Sequence, residues 1–218
     1  VVNQKAASLA VDGSQALAGT VSVLVASSDV LAELSDNATV VAGDDLNVSA
    51  SQNTRLIQTS GVVSASGGGG IGGGLGVFTD KTTTVARIGN NAVTDAADDT
   101  NVLAATTADI DQNTIAFASG GMAGASGSIG VNIFKSLTRA EIGSNARINQ
   151  NAGAGADQDV TVQAKDDINV QANTGAAAIG GAGGVGVGVG ILIARTTTDA
   201  VIGAGAKVNA TDDITVEA

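Results

Sequence analysis

Apolar and polar positions alternate along most of this chain, and the alternating stretches recur. The clearest is "GGVGVGVGILIA", where Val185, Val187, Val189, Ile191 and Ile193 share one parity and Gly186, Gly188 and Gly190 share the other. A period of two is the pattern of a β-strand with one buried face. Four related phrases carry it: residues 27–50 ("SSDVLAELSDNATVVAGDDLNVSA"), 81–104 ("KTTTVARIGNNAVTDAADDTNVLA"), 135–164 and 195–218 ("RTTTDAVIGAGAKVNATDDITVEA"). Leu34, Ile88, Ile142 and Ile202 occupy equivalent places, so the repeat is 54 residues long, with six more around "NAGAGA" in the third unit.

Within that register the columns sort cleanly. Ala32, Ala86, Ala140 and Ala200 align; Glu33, Arg87, Glu141 and Val201 follow; then come Leu34, Ile88, Ile142 and Ile202. Small apolar, variable, large apolar describes a strand with one buried and one mostly wet face. Asn37, Asn91, Asn145 and Gly205 share the next informative column. Asn and Gly alternate where the backbone needs a positive φ, so this column predicts a turn. A second strand closes each unit ("DDLNVSA", "DDITVEA"), a third follows ("TRLIQTSG", "NTIAFASG", "INVQANTG"), and the glycine-rich runs make a fourth.

These strands predict an all-β fold, a parallel β-helix (β-solenoid) in which no coil buries its apolar face without its neighbours. Dividing the 54–60-residue repeat into roughly three coils of about 18–20 residues gives about eleven or twelve coils, a rod of about 50–60 Å at about 4.8 Å per coil. A β-sandwich is the alternative, but it gives no reason for a register this strict over four copies. The chain reads as one solenoid segment over residues 1–218; because it starts and stops mid-phrase, a longer parent is expected.

Composition narrows the function classes. There are three Phe, one Met, 31 Gly, and no His, Cys, Trp, Tyr or Pro in 218 residues. A transmembrane barrel needs aromatic girdles at both interfaces, and no apolar run is long enough for a membrane-spanning helix. The net charge of −11 comes largely from Asp, a turn and cap residue, and nucleic acid, which requires a basic patch, is not an expected partner. Without His, Cys or Tyr, and with Lys81, Lys135 and Arg195 at equivalent repeat positions, the chain reads as a scaffold and not an enzyme.

The run from Gly183 to Ala218, "GGVGVGVGILIARTTTDAVIGAGAKVNATDDITVEA", resembles the repeats of giant bacterial surface adhesins, the filamentous-haemagglutinin and leukotoxin-like filamentous adhesin group. The looser copies, such as "GLGVFTDKTTTVARIGNNAVTDAADDTNVLA", extend the resemblance over most of the chain. It rests on small residues at fixed spacing. It implies a β-helix secreted by a type V or two-partner route to the cell surface, with a role in attachment, aggregation or biofilm formation. The implied partners are a host or neighbouring-cell surface, or other copies through solenoid faces. A self-assembling filament or sheath component, or a lateral face that recognises a glycan or protein, is the alternative.

Two features carry candidate chemistry. The Asp pairs recur with the repeat, which favours backbone capping. Asp157, Asp159, Asp166 and Asp167 also cluster near the insertion, so they are weak candidates for a calcium site; no other cofactor is expected. If Val185, Val187 and Val189 point inward, Gly186, Gly188 and Gly190 leave a bare backbone strip open to close approach by another surface.

Overall fold

In this computed structural model, residues 1–150, 155 and 157–218 are described. The strands in chain order are β1 (Val2–Asp12), β2 (Gln15–Leu34), β3 (Thr39–Ala42), β4 (Leu46–Ser66), β5 (Gly69–Ile88), β6 (Val93–Ala96), β7 (Thr100–Gly120), β8 (Ala123–Ile142), β9 (Arg147–Ile148), β10 (Val160–Gly180), β11 (Gly183–Ile202), β12 (Lys207–Val208) and β13 (Ile214–Glu217). They form three parallel sheets. Sheet A has the order β1-β4-β7-β10-β13, sheet B β11-β8-β5-β2 and sheet C β12-β9-β6-β3. The parallel β-solenoid expected from the sequence is the fold.

Its coil is three times longer than the expected one. Leu46 pairs with Thr100 and Glu33 with Arg87, a separation of 54 residues, and Thr100 pairs with Val160 across 60. One coil therefore consumes one whole repeat, not a third of it. The expectation of about three coils per repeat assumed strands of ordinary length, about 3–10 residues. Here the phrases read as separate second and third strands, "DDLNVSA" and "TRLIQTSG", run together in β4, which is 21 residues long. The glycine-rich run and the threonine cluster likewise merge in β5, of 20 residues. The molecule is a stack of about four wide storeys, about 20 Å high, with strands about 65–70 Å long.

Sheets A and B face each other and converge on a two-residue turn. At the turns of successive coils, a Cβ on Gly67 would collide with the Gly13 carbonyl, and one on Gly121 with that of Gly67. Just inside the tip, a Cβ on Gly70 would strike the Ser119 carbonyl, and one on Gly72 would lie 3.0 Å from that of Phe117. The glycine-rich run is thus the thin edge of a wedge, where two backbones meet with almost no side chains between them. Away from the tip the gap widens. Ala18, Val62 and Ala116 fill it first, then Leu56, Phe78, Ile110 and Phe134. At the broad end sheet C closes the coil over Val48, Ala86, Ile88, Val102, Ile142 and Ile148.

The broad-end turn behaves as the column of Asn and Gly implies. Asn37, Asn91 and Asn145 have φ of 61°, 53° and 57°, and Gly205 has 73°. Ahead of Asn91, Asn145 and Gly205, Gly89, Gly143 and Gly203 lie so close to the turn below that a Cβ would sit 2.5–2.6 Å from its backbone.

The wedge predicts a parity rule for glycine replacement. Gly72→Val and Gly76→Val point a side chain into the closed edge, where Gly76 faces the Thr114 hydroxyl, and should each cost about 1–3 kcal/mol by overpacking. Gly73→Val, on the same strand, meets nothing within 4 Å and should leave the urea midpoint unchanged or raise it. Equal losses at all three positions would contradict the assignment of inner and outer faces.

Candidate functional site

Chemistry in this molecule is arranged in ladders. At the corner leading into sheet A, the Asp45 carboxylate accepts the Asp99 backbone N–H at 3.2 Å, Asp99 accepts that of Asp159 at 2.9 Å, and Asp159 accepts that of Asp213 at 2.9 Å. At the other broad-end corner, Asp36 accepts the Asn90 N–H at 2.8 Å, and the Asn90 side-chain carbonyl accepts that of Ser144 at 2.9 Å. Each side chain satisfies a backbone donor of the next coil, which explains why Asp recurs once per repeat. These hydrogen bonds, with the Arg87 guanidinium, hold Asp36 below the ordinary carboxylate range.

The four calcium candidates are not brought together. Asp159 belongs to the capping ladder, and Asp157 is exposed on the loop before it. Asp166 and Asp167 are consecutive in β10, so they point to opposite faces. Asp166 continues the inward column of Gln52 and Thr106; burial raises its pKa, against the Ser136 hydroxyl. Carboxylate oxygens do converge among Asp44, Asp45 and Asp98, within 4.8 Å of one another, on an exposed corner. Partial loss of solvent, then repulsion from Asp99, Asp45, Asp44 and Asp157, raises Asp98; Asp213 and Asp159 do most to raise Asp212.

The glycine strip faces the other way from the one expected. A Cβ on Gly186 would lie 2.6 Å from the Ala176 carbonyl, and one on Gly188 3.2 Å from Gly175; Gly190 faces Thr174. All three point inward against sheet A, and Val185, Val187 and Val189 point outward, 66%, 56% and 45% exposed. Parity alone left the two faces interchangeable. The close approach of the two sheets decides between them, because only small residues fit the thin edge: Ala18, Gly72, Ser126 and Gly186 share one inward column.

Composition also hid two polar seams inside the core. Gln58 donates to Gln4 at 3.3 Å and to the Val77 carbonyl at 3.0 Å; Gln112 donates to Gln58 at 2.8 Å; Asn132 donates to Gln112 at 2.6 Å. Gln58 and Gln112 are each 1% exposed. Nearer the broad end Thr138 donates to Thr106, Thr106 to Thr84, and Thr84 to Gln52, at 2.7, 2.8 and 3.1 Å. The Gln4–Gln58–Gln112 ladder pairs each coil with the next within sheet A, as amide ladders do in stacked β-structures, whereas the threonine seam zigzags between sheets A and B as it climbs. The signal for the glutamine seam was present: Gln4, Gln58 and Gln112 recur at the repeat spacing of 54.

Sheet B carries a different kind of surface. Lys81, Thr83, Val85 and Arg87 face outward on its broad half, where Arg87 meets Glu33 at 2.6 Å and Arg139 meets Asp199 at 2.8 Å. On the tip half the outward side chains are aliphatic or glycine except Gln15 and Thr79. Among residues 6–26, 60–79, 114–134 and 174–194, the only charged side chain is Asp12. Among the described residues no helix is long and apolar enough to cross a membrane. No protein-family model matches the sequence, and neither the curated proteins nor the solved structures yield a match. What the geometry defines is a class by architecture, the wedge-shaped parallel β-solenoid.

One titratable group sits against the grain of the core. Asp80 is 1% exposed between Ala26 and Phe134 of the adjoining coils. Burial raises its pKa, and the hydrogen bond donated by Thr82 at 3.1 Å only partly offsets this. The native state therefore holds this proton to higher pH than the unfolded chain, whose carboxyl titrates near 3.9, and stability falls as pH rises above that value. Asp80→Asn should stabilise the fold at neutral pH by about 1 kcal/mol or more, with the gain shrinking as pH falls towards 4 in calorimetric melts. A gain that stays constant with pH would rule out ionisation as its cause.

Proposed function

We propose that this chain is a non-catalytic structural segment of a secreted or cell-surface adhesin, a stiff repeat spacer in attachment, aggregation or biofilm formation. One observation carries the reading: side-chain chemistry is spent on joining coil to coil. The Asp caps, the glutamine and threonine seams and the Arg87–Glu33 pair all span adjacent coils. A stack held this way resists bending along its axis and exposes little backbone to proteases. The resemblance of the 183–218 run to filamentous adhesin repeats supports the extracellular assignment. Trp and Tyr, the usual aromatic platforms for sugars, are absent from the sequence, which favours a spacer over a glycan-reading face.

Location is the decisive test. Antibodies raised against the 218-residue chain should label intact cells of the producing organism, and external protease should remove that signal only slowly. Labelling that requires permeabilised cells would overturn the proposal.

A further inference from the structure

We infer that the outer face of sheet B, on its tip half, is a pairing surface for a second copy of this chain, the two wedges lying side by side with their solenoid axes parallel. The inference rests on the architecture and not on the adhesin reading.

The face is apolar and large. Leu17, Val21, Val25 and Val185 are 66–75% exposed, and Ile71, Ile129, Ile191 and Ile193 are 44–55% exposed. Together the outward aliphatics of this half-sheet present on the order of 1,000 Å², above the few hundred Å² of an ordinary surface patch and close to the 800 Å² or so per partner of a stable interface.

The face also has relief. Gly19, Gly73 and Gly127 stack in successive coils with no side chain, so a groove of about 500 Å³ crosses the sheet along the solenoid axis. Val21, Leu75 and Ile129 wall one side, and Val187 enters the same column in the fourth coil. The natural filler is a row of aliphatic side chains repeated once per coil. A second copy supplies that row at the same spacing, because both ladders rise about 4.8 Å per coil.

A two-fold axis parallel to the solenoid axis satisfies both copies at once. Turned about it, the Leu75/Ile129 ridge of each copy enters the Gly73/Gly127 groove of the other. The neighbouring columns then fall into place: Ile71 and Ala125 oppose Val77 and Val131, and Gly69 and Ala123 oppose Thr79 and Ile133. Small faces large in the first and third of these apposed column pairs. Lys81 and Lys135 lie one column beyond the overlap, past the partner's tip and in water, so the pairing buries no charge. The apolar patch of Leu9, Val11, Val63, Ile115, Phe117 and Ile179 on the outer face of sheet A is on the other side of the wedge and takes no part.

Sedimentation equilibrium of the full 218-residue chain across the micromolar range should give a mass near twice 20.9 kDa. Gly73→Leu fills the groove from a position where a Cβ meets nothing within 4 Å; it should weaken pairing about tenfold or more while leaving the melting temperature of the monomer, measured at high dilution, unchanged. Val63→Lys, on sheet A, should leave pairing intact. The chain has no cysteine, so Gly73→Cys and Leu75→Cys can be mixed; under oxidation the mixture should form a cross-linked dimer faster than either variant alone. A monomer throughout the range would overturn the inference. So would a dimer indifferent to Gly73→Leu but broken by Val63→Lys, or a monomer that binds phosphatidylcholine vesicles through this face.

Discussion

Every coil of this molecule depends on the one beside it for its backbone hydrogen bonds. In a parallel sheet a strand cannot pair with its own sequence neighbour through a tight turn, so each strand finds its partners one full coil away. Here that partner is the same position of the adjacent repeat, at 54 or 60 residues. The remaining features follow from this condition. Identical columns stack, so a residue type that suits one rung suits all, and a side chain that hydrogen-bonds along the axis does so in a row. The Asp caps and the Gln4–Gln58–Gln112 seam are two instances of that rule.

The wedge comes from side-chain volume graded along each strand. Glycine at the tip allows the sheets to touch, alanine and valine open a small gap, Phe78 and Phe134 hold it at its widest between two sheets, and sheet C is needed to close what lies beyond. A core this thin at one edge buries few large side chains per residue. The polar seams help to offset that, because paired amides and hydroxyls in a low-dielectric interior fix the register that aliphatics alone leave slack. Asp80 departs from this scheme: its column holds Ala26 and Phe134 in the adjoining coils, and its side-chain hydrogen bond, at 3.1 Å, is to Thr82 of its own strand.

Much of the fold was legible from the residues. Period two gave strands, the repeat gave a solenoid, and the shared Asn/Gly column gave a left-handed turn that Asn37, Asn91, Asn145 and Gly205 adopt. The coil length was not legible in the same way. Local pattern reports which face a residue takes, but alternation looks identical whether a strand ends at Ala50 or continues to Ser66. The face of the glycine strip was hidden for a related reason: parity separates Gly186 from Val187 without saying which of them meets the opposite sheet, and that is decided by a backbone contact with Ala176 on another strand. Capping by Asp was legible only as a bond to its own turn; that each carboxylate caps the next coil, and that Asp44, Asp45 and Asp98 converge across adjacent coils, required the register.

That coil and repeat have the same length also bears on how such a gene can change. Unequal recombination between repeats removes or adds a unit of about 54 residues, and the joint is in frame with the architecture wherever the crossover falls, since the strand leaving one storey enters the next at the same rung. The array can be lengthened or shortened by copying errors alone, without any compensating substitution at the seam. The third unit shows the same tolerance for insertions. The "NAGAGA" stretch lies mostly outside the described residues, and across it the pairing of all three sheets shifts from 54 to 60 with none of them broken.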